Sequence, residues 1–345
     1  MLKLRRGVVV AEEPLTVEVD GERRPAWADA GLFGEMREGD EVVVNVEARD
    51  LGLGSGGFDI VHLNLTRGLE GGGAEGQHVM KLNYSSLQHP VEPIELPLFL
   101  LRPGDVKGTA AAVERSLPVL VLPLHGHLAP AAWAVAQGGS APRVGYVQTA
   151  GGALPGALGR DVAELRERGL LCGHVTAAPA YGGEREALSV AGALDAAGKE
   201  LGWEAALVGP GPGIIGSGTR LGHGGMAALD SAHAALALAM PTLLSPRLSA
   251  ADARERHRPV SHHTLTVLRM LLGAVEVPIP AGNPEVGEVL AEAAGGRHRL
   301  HEAAADLDGY AASGLPARAM GRGLEEDPLF YAAPLAAGAA LRGKG

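Results

Sequence analysis

The chain has 345 residues, enough for two domains, because a single hydrophobic core stops growing at about 250–300 residues. Its 40 acidic residues outnumber 30 basic ones, the formal charge is −10, and no Lys/Arg block breaks the spread, so no nucleic-acid partner is expected. One cysteine, Cys172, excludes an internal disulfide and any multi-cysteine zinc or iron–sulfur centre.

The basic residues near Met1 precede an apolar stretch too short for a secretion signal, which ends in Glu12-Glu13. The most apolar helical stretch, Met226 to Met240, carries Asp230 and His233 and falls short of the ~20 residues that span a bilayer. A cytoplasmic protein without membrane contact is therefore expected.

Residues 1–87 read as a small β-barrel-like domain. Short β-branched runs at Leu4–Val10, Leu15–Val19, Glu41–Glu47, Asp59–Leu65 and His78–Tyr84 are separated by turn residues such as Glu38-Gly39-Asp40, a pattern that suggests antiparallel pairing. Aromatic platforms for nucleic-acid bases are scarce there. Residues 88–108 hold Pro90, Pro93, Pro97 and Pro103 and read as an extended linker.

From 109 to 345 the chain reads as a Rossmann-like α/β domain. Apolar runs (Val119–Leu122, Val144–Val147, Leu170–Val175, Ala205–Val208, Thr242–Leu244, Ala274–Ile279) alternate with Ala-rich amphipathic segments, as in a mostly parallel, doubly wound, three-layer sheet. Ligands of such sheets sit outside the carboxyl ends of the strands. The segments after five of these runs are loaded with polar groups.

After the fourth run comes a loop with eight glycines in 17 residues, Gly209 to Gly225. Free backbone amides followed by a helix suit an anion, which makes Gly211, Gly213, Gly216, Ser217, Gly218, Thr219 and Arg220 candidate ligand-binding residues. A G-x-G-x-x-G is present, but no acid ends the next strand as a dinucleotide site requires, and no G-K-[ST] follows as in a P-loop. A long structural turn accounts for the glycines about equally well. Thr149, at the end of the second run, joins the candidates.

After the fifth run, Asp252 to Thr264 packs three arginines, three histidines and two acids into 13 residues. Arg254 and Arg256 could grip a phosphate or carboxylate. Ser261 reads as a helix N-cap. His262 is the candidate for proton transfer, with Asp252 as its partner. His125 and His127 alternate on what reads as an extended segment, which would point both rings the same way as metal ligands. A third ligand would come from Asp252, His257, His262 or His223. Nothing in the sequence names a cofactor.

Leu51-Gly-Leu-Gly-Ser-Gly-Gly57, Met80-Lys-Leu-Asn-Tyr84, Gly152-Ala-Leu-Pro155, Gly213-Ile-Ile-Gly-Ser-Gly-Thr219 and Ser261-His-His-Thr-Leu-Thr266 resemble an uncharacterised bacterial family known only as a domain of unknown function. That resemblance covers nearly the whole chain and implies that barrel and α/β domain form one functional unit. After Thr149 and at Ala178-Pro-Ala-Tyr181 the chain departs from the family's pattern, and those departures weaken a catalytic role for the two loops. Two functions fit the residues: an enzyme acting on a small phosphorylated or carboxylated metabolite, or a nucleotide- or metabolite-sensing binding protein without catalysis. Either is compatible with a homo-oligomer.

Overall fold

A computed structural model describes residues 1–53, 56–95, 117–138 and 142–344, and the chain divides into two compact units, Met1–Val91 and Glu92–Gly345. In the first, β1 (Leu4–Glu12), β2 (Leu15–Val19), β3 (Glu22–Trp27), β4 (Glu41–Asn45) and β5 (Asp59–Asn64) close a barrel in the order β1-β2-β3-β5-β4. Two single-turn helices, α1 (Ala30–Phe33) and α2 (Glu47–Asp50), interrupt it. Alternate valines point inward, and Val9, Val17, Val19, Val42, Val44 and Val61 make the core.

Two features of the barrel differ from the sequence pattern. β3 pairs with β5 in parallel, and it lacks apolar alternation because its inward residue is Arg24, which is buried. The Arg24 guanidinium binds Asp59 through Nε at 2.5 Å and Asp50 through Nη2 at 2.6 Å, so a paired charge takes the place of an apolar side chain. The strand expected at His78–Tyr84 is shorter, β6 (Val79–Lys81), and pairs with β7 (His89–Val91) in a separate two-stranded sheet. Of the expected Pro-rich linker, residues 96–108 lie outside the described residues.

The second unit is built on eight strands: β8 (Val119–Val121), β9 (Val144–Thr149), β10 (His174–Ala177), β11 (Arg185–Ala187), β12 (Ala205–Pro210), β13 (Thr242–Leu244), β14 (Glu276–Pro280) and β15 (Arg299–Ala303). Their order is β11-β10-β9-β12-β8-β13-β14-β15, and every pairing is parallel. The central strands are buried on both faces: Val119 and Val121 of β8 join one core, Leu120 the other.

Helices α3 (Leu128–Ala136), α4 (Arg160–Glu167), α9 (Leu307–Ala312) and α10 (Pro328–Arg342) cover one face through Leu128, Leu165, Tyr310 and Tyr331. Helices α5 (Val190–Lys199), α6 (Ala227–Ala237), α7 (His262–Met270) and α8 (Pro284–Ala294) cover the other through Leu194, Ala232, Val267 and Leu290. The connection leaving β8 thus runs over one face while that leaving its neighbour β12 runs over the other. Such a reversal opens a crevice outside the carboxyl ends of the two strands. No helix among the described residues is long and apolar enough to cross a membrane.

Candidate functional site

The loops at this edge touch one another in sequence. Gly152, after β9, lies so close to the Gly211 carbonyl that a Cβ would collide with it, and Gly224 meets the Gly151 carbonyl in the same way. Tyr181, after β10, accepts from the Gly156 amide at 2.7 Å. Ser245, after β13, meets His127, after β8, through Oγ and Nδ1 at 2.9 Å. The glycines therefore serve close approach of backbones before anything else.

Inside the glycine loop, the groups proposed to hold an anion are turned on one another. The Ser217 amide donates to the Gly222 carbonyl at 2.7 Å and the Gly224 amide to that of Ile215 at 2.8 Å. The hydroxyls of Ser217 and Thr219 meet at 2.9 Å, and Thr219 Oγ1 accepts from the Gly222 amide at 3.0 Å. Gly213 and Gly218 take φ of +71° and +79°, which glycine alone adopts readily. Gly211 is buried and Gly216 exposed, Gly216 bridging back to His223. The loop closes as a hairpin, which uses the Ser217 and Thr219 groups internally, and it delivers His223.

His223 meets two histidines from the segment after β13, and a third, His257, packs against both of those. Its ring stacks on that of His263 at 3.6 Å and 5° and stands edge-on to His262 at 5.3 Å. His257 lies 5.1 Å from His262 and 5.0 Å from His263. The neighbours His262 and His263 leave the first turn of α7 on different bearings, yet their rings meet edge to face at 4.4 Å, one partly exposed and the other buried. Ser261 caps α7 by accepting from the His263 amide at 3.2 Å, and it fixes His257 Nδ1 at 2.7 Å.

All four imidazoles are held neutral at pH 7. Burial, reinforced by Arg247 and the neighbouring rings, pushes His263 down to about 2 and, with Arg247 and Arg254, His257 to about 3. Burial also lowers His262, aided by His223 and Arg256, and His223, aided by Arg247. One ring nitrogen each of His223, His262 and His263 lies within 4.8 Å of the others.

A chain of charges runs beneath the rings. Arg247, 2% exposed, donates through Nη1 to His263 Nδ1 at 3.3 Å and through Nη2 to Asp252 at 3.4 Å. Arg254 forks onto Asp252 at 2.9 and 3.0 Å, and Arg322 reaches it at 3.4 Å. Burial would raise the Asp252 carboxyl, but the hydrogen bonds and charge of Arg254 outweigh it and hold the group far below the usual carboxylate range. Asp252 is therefore an anchor for arginines, and the proton-handling partnership expected with His262 does not fit it. Arg322 continues to Asp327 at 3.1 Å, which holds Ser249 at 2.5 Å and the Ala250 amide at 2.9 Å.

The remaining candidates are placed as follows. Arg220 contributes its carbonyl, which accepts from His223 Nε2 at 2.9 Å. Thr149 donates to the Ala150 carbonyl at 3.0 Å. Arg256 stands exposed in a 3-10 turn, Glu255–His257. His125 and His127 lie in a 3-10 turn instead of an extended segment, and their rings separate: His127 meets Ser245 and Phe330, while His125 lies 3.6 Å from Asp161 beside Tyr146. The alternation that would have made them co-ligands is absent. Arg247, Arg322 and Asp327 carry much of the site's electrostatics. Arg322 and Asp327 had no signal in the local sequence, being brought in across 70 or more residues.

No curated protein and no solved structure matches the chain. A family model described as a protein of unknown function, DUF3866, matches residues 26–338, a stretch that covers part of the first unit, nearly all of the second and the whole histidine–arginine cluster, and the chain belongs to that family.

Proposed function

We propose that the protein is an enzyme acting on a small phosphorylated or carboxylated metabolite at the carboxyl edge of the sheet. The reading rests on one observation: four neutral imidazoles gathered beside guanidinium groups that outnumber the carboxylates among them. Arg247, Arg254 and Arg322 face Asp252 and Asp327, which leaves net positive charge before the exposed Arg256 is added. Neutral imidazoles can accept a proton or offer a lone pair, and guanidinium forks match phosphate and carboxylate. In this arrangement Arg256 and the outer edge of Arg254 meet the anion and the histidine cluster faces its reacting atoms. The glycine loop presents His223 and shapes the wall.

Thermal-shift screening of the full chain against phosphate, sugar phosphates and small carboxylates tests the proposal. A ligand at a hundredfold excess over its Kd adds about 2.7 kcal/mol to stability. Arg256→Ala should weaken that ligand roughly 10-fold or more, as for one lost charge-assisted hydrogen bond, with the unliganded melting temperature unchanged. A panel in which no anion stabilises the protein, or a ligand whose affinity ignores Arg256→Ala, overturns it.

A further inference from the structure

We infer that the anion enters this site together with one proton, which His262 takes from solvent, so that the bound complex holds a tetrahedral dianion against an imidazolium. The inference rests on the anion-site reading above and adds the ligand's charge and the direction in which the proton moves. Its grounds are the hydrogen bonds already made by the other three rings and the charges that surround the fourth.

Hydrogen-bond direction singles out His262. His263 Nδ1 faces Arg247 Nη1 at 3.3 Å; a guanidinium only donates, so that nitrogen has no place for a proton. His223 Nε2 faces the Arg220 carbonyl at 2.9 Å and therefore carries the ring's hydrogen. Its Nδ1 is buried with no hydrogen-bond partner, and a second proton there would be a buried donor without an acceptor. The stack of His223 on His263, parallel at 3.6 Å and 5°, also keeps their in-plane lone pairs apart, so the two share no metal ion. His257 is buried, with Nδ1 held by Ser261 Oγ at 2.7 Å.

His262 alone of the four is partly exposed. It is held by ring contacts, edge-on to His223 at 5.3 Å and to His263 at 4.4 Å and tilted on His257 at 5.1 Å, with no hydrogen bond to either nitrogen among the described residues. Both N–H groups of its cation are thus available to a ligand.

The surrounding charges explain why the proton waits for the anion. His262 is faced by His223 from the glycine hairpin, by Arg254, Arg256 and His257 from the 3-10 turn and its approach, and by Arg247 from the segment after β13. Helix α7, nine residues long, adds His263 and the partial positive charge of its amino end. The carboxylate of the group, Asp252, is already forked by Arg254 and shared with Arg247 and Arg322. Burial first, and then these like charges, keep the free ring neutral at pH 7. An anion seated between Arg256 and the outer edge of Arg254 cancels the guanidinium field and sets an opposite charge beside the ring, which favours the imidazolium. Proton and anion then strengthen each other's binding by the same factor.

That coupling selects among the anions. A carboxylate brings one charge and leaves the new imidazolium uncompensated beside two guanidinium groups, whereas a phosphate monoester brings about 1.5–2. The ligand class is therefore a phosphate monoester, and the ring that is a base in the free protein is the acid of the complex.

A phosphate group titrates at about pH 6 on its own account, so sulfate, doubly charged throughout, is the probe. At constant ionic strength its affinity for the full chain, read by isothermal titration calorimetry, should fall roughly 10-fold per pH unit between the His262 pKa of the free state and that of the complex. Below both values the ring is charged in either state and above both it is neutral in either, so the profile is flat on each side. From pH 6 to pH 8 the loss should be about 10-fold or more. Heats measured at pH 7 in two buffers of different ionisation enthalpy should count up to about one proton taken up per sulfate, a readout that needs no variant. His262→Asn should flatten the profile to within about 2-fold and abolish the uptake, while His233→Ala should retain both. Sulfate binding without proton uptake, or a pH profile that His262→Asn leaves unchanged, overturns the assignment and leaves the anion site standing. Stabilisation by phosphate but not by sulfate would show the ligand supplying its own proton and overturns it as well. If neither anion binds, the anion site itself falls, and this inference with it.

Discussion

Lowering the pH from 7 to 5 should destabilise the α/β unit by about 4 kcal/mol through two histidines alone. His127 is fully buried and bonded through Nδ1 to Ser245, and burial, then the charge of Arg247, pushes its pKa down to about 3. His174, stacked on Tyr146 at 5.5 Å, falls to about 4, burial leading and Glu184 opposing. Both folded-state values lie below the ~6.5 of an unfolded histidine, so the unfolded chain takes up the proton first. The stability tied to each neutral ring is present at pH 7 and drains away as pH falls below about 6.5, ceasing to fall only at the folded pKa. At ~1.4 kcal/mol per pH unit each group loses about 2 kcal/mol by pH 5. Urea unfolding at the two pH values, followed by the fluorescence of the buried Trp133 and Trp203, measures the sum. His127→Asn and His174→Gln should each shrink the pH 7 to pH 5 difference by about 2 kcal/mol, whatever they do to stability at pH 7. If either variant loses as much stability between the two pH values as wild type does, the assignment of that proton is wrong.

Two further outcomes follow from buried contacts. Asp59→Asn should cost the barrel about 3 kcal/mol, because Arg24 loses the partner of its Nε and Nη2 inside a wall where an unpaired charge is expensive; Asp50 and Glu22 retain part of the pairing, and an unchanged urea midpoint would refute the role given to this ion pair. Gly145→Ala should cost about 1–3 kcal/mol by overpacking, since a Cβ there would enter the Trp203 indole, and Trp203 emission should move with the loss of stability; unaltered emission and stability would mean the ring gives way freely.

What the sequence discloses depends on where a residue's partners lie. The valine runs of β1, β4 and β5 and the apolar runs of β8, β9, β12 and β13 announce themselves because each is buried against a continuous core, and burial is what period-2 and continuous apolar patterns record. The edge strands β11, Arg185-Glu-Ala, and β15, Arg299-Leu-His-Glu-Ala, are half solvated and spell like loops. β3 is missed for another reason: Arg24 is buried, yet its apolar substitute is an ion pair with a residue 35 positions away. Helix α7 was legible from its Ser261 cap, but the meeting of the His262 and His263 rings at 4.4 Å runs against the ~100° spacing of consecutive helix residues and could not be read from it. That His223 completes their cluster could not be read, because the glycine loop's composition points equally to an anion cradle and to a tight hairpin, and only the hydrogen bonds of Ser217, Thr219 and Gly224 separate them.

The line of charges under the cluster follows a different logic from the rest of the core. Asp327, Arg322, Asp252 and Arg247 alternate in sign from the start of α10 to the His263 ring, and Asp327, Asp252 and Arg247 are each at most 2% exposed. Replacing such a buried network with well-packed apolar side chains is often neutral or stabilising, so fold stability alone gives little reason for it. What it does fix is orientation. Asp327 does not cap its own helix through its side chain but reaches across to Ser249 and the Ala250 amide, tying the segment after β13 to α10. Arg247 then has its guanidinium set between Asp252 and His263, and the ring it touches has one tautomer available. The last helix of the chain thereby governs which nitrogen of a histidine on α7 offers its lone pair, a dependence through hydrogen-bond direction that packing by apolar groups cannot reproduce.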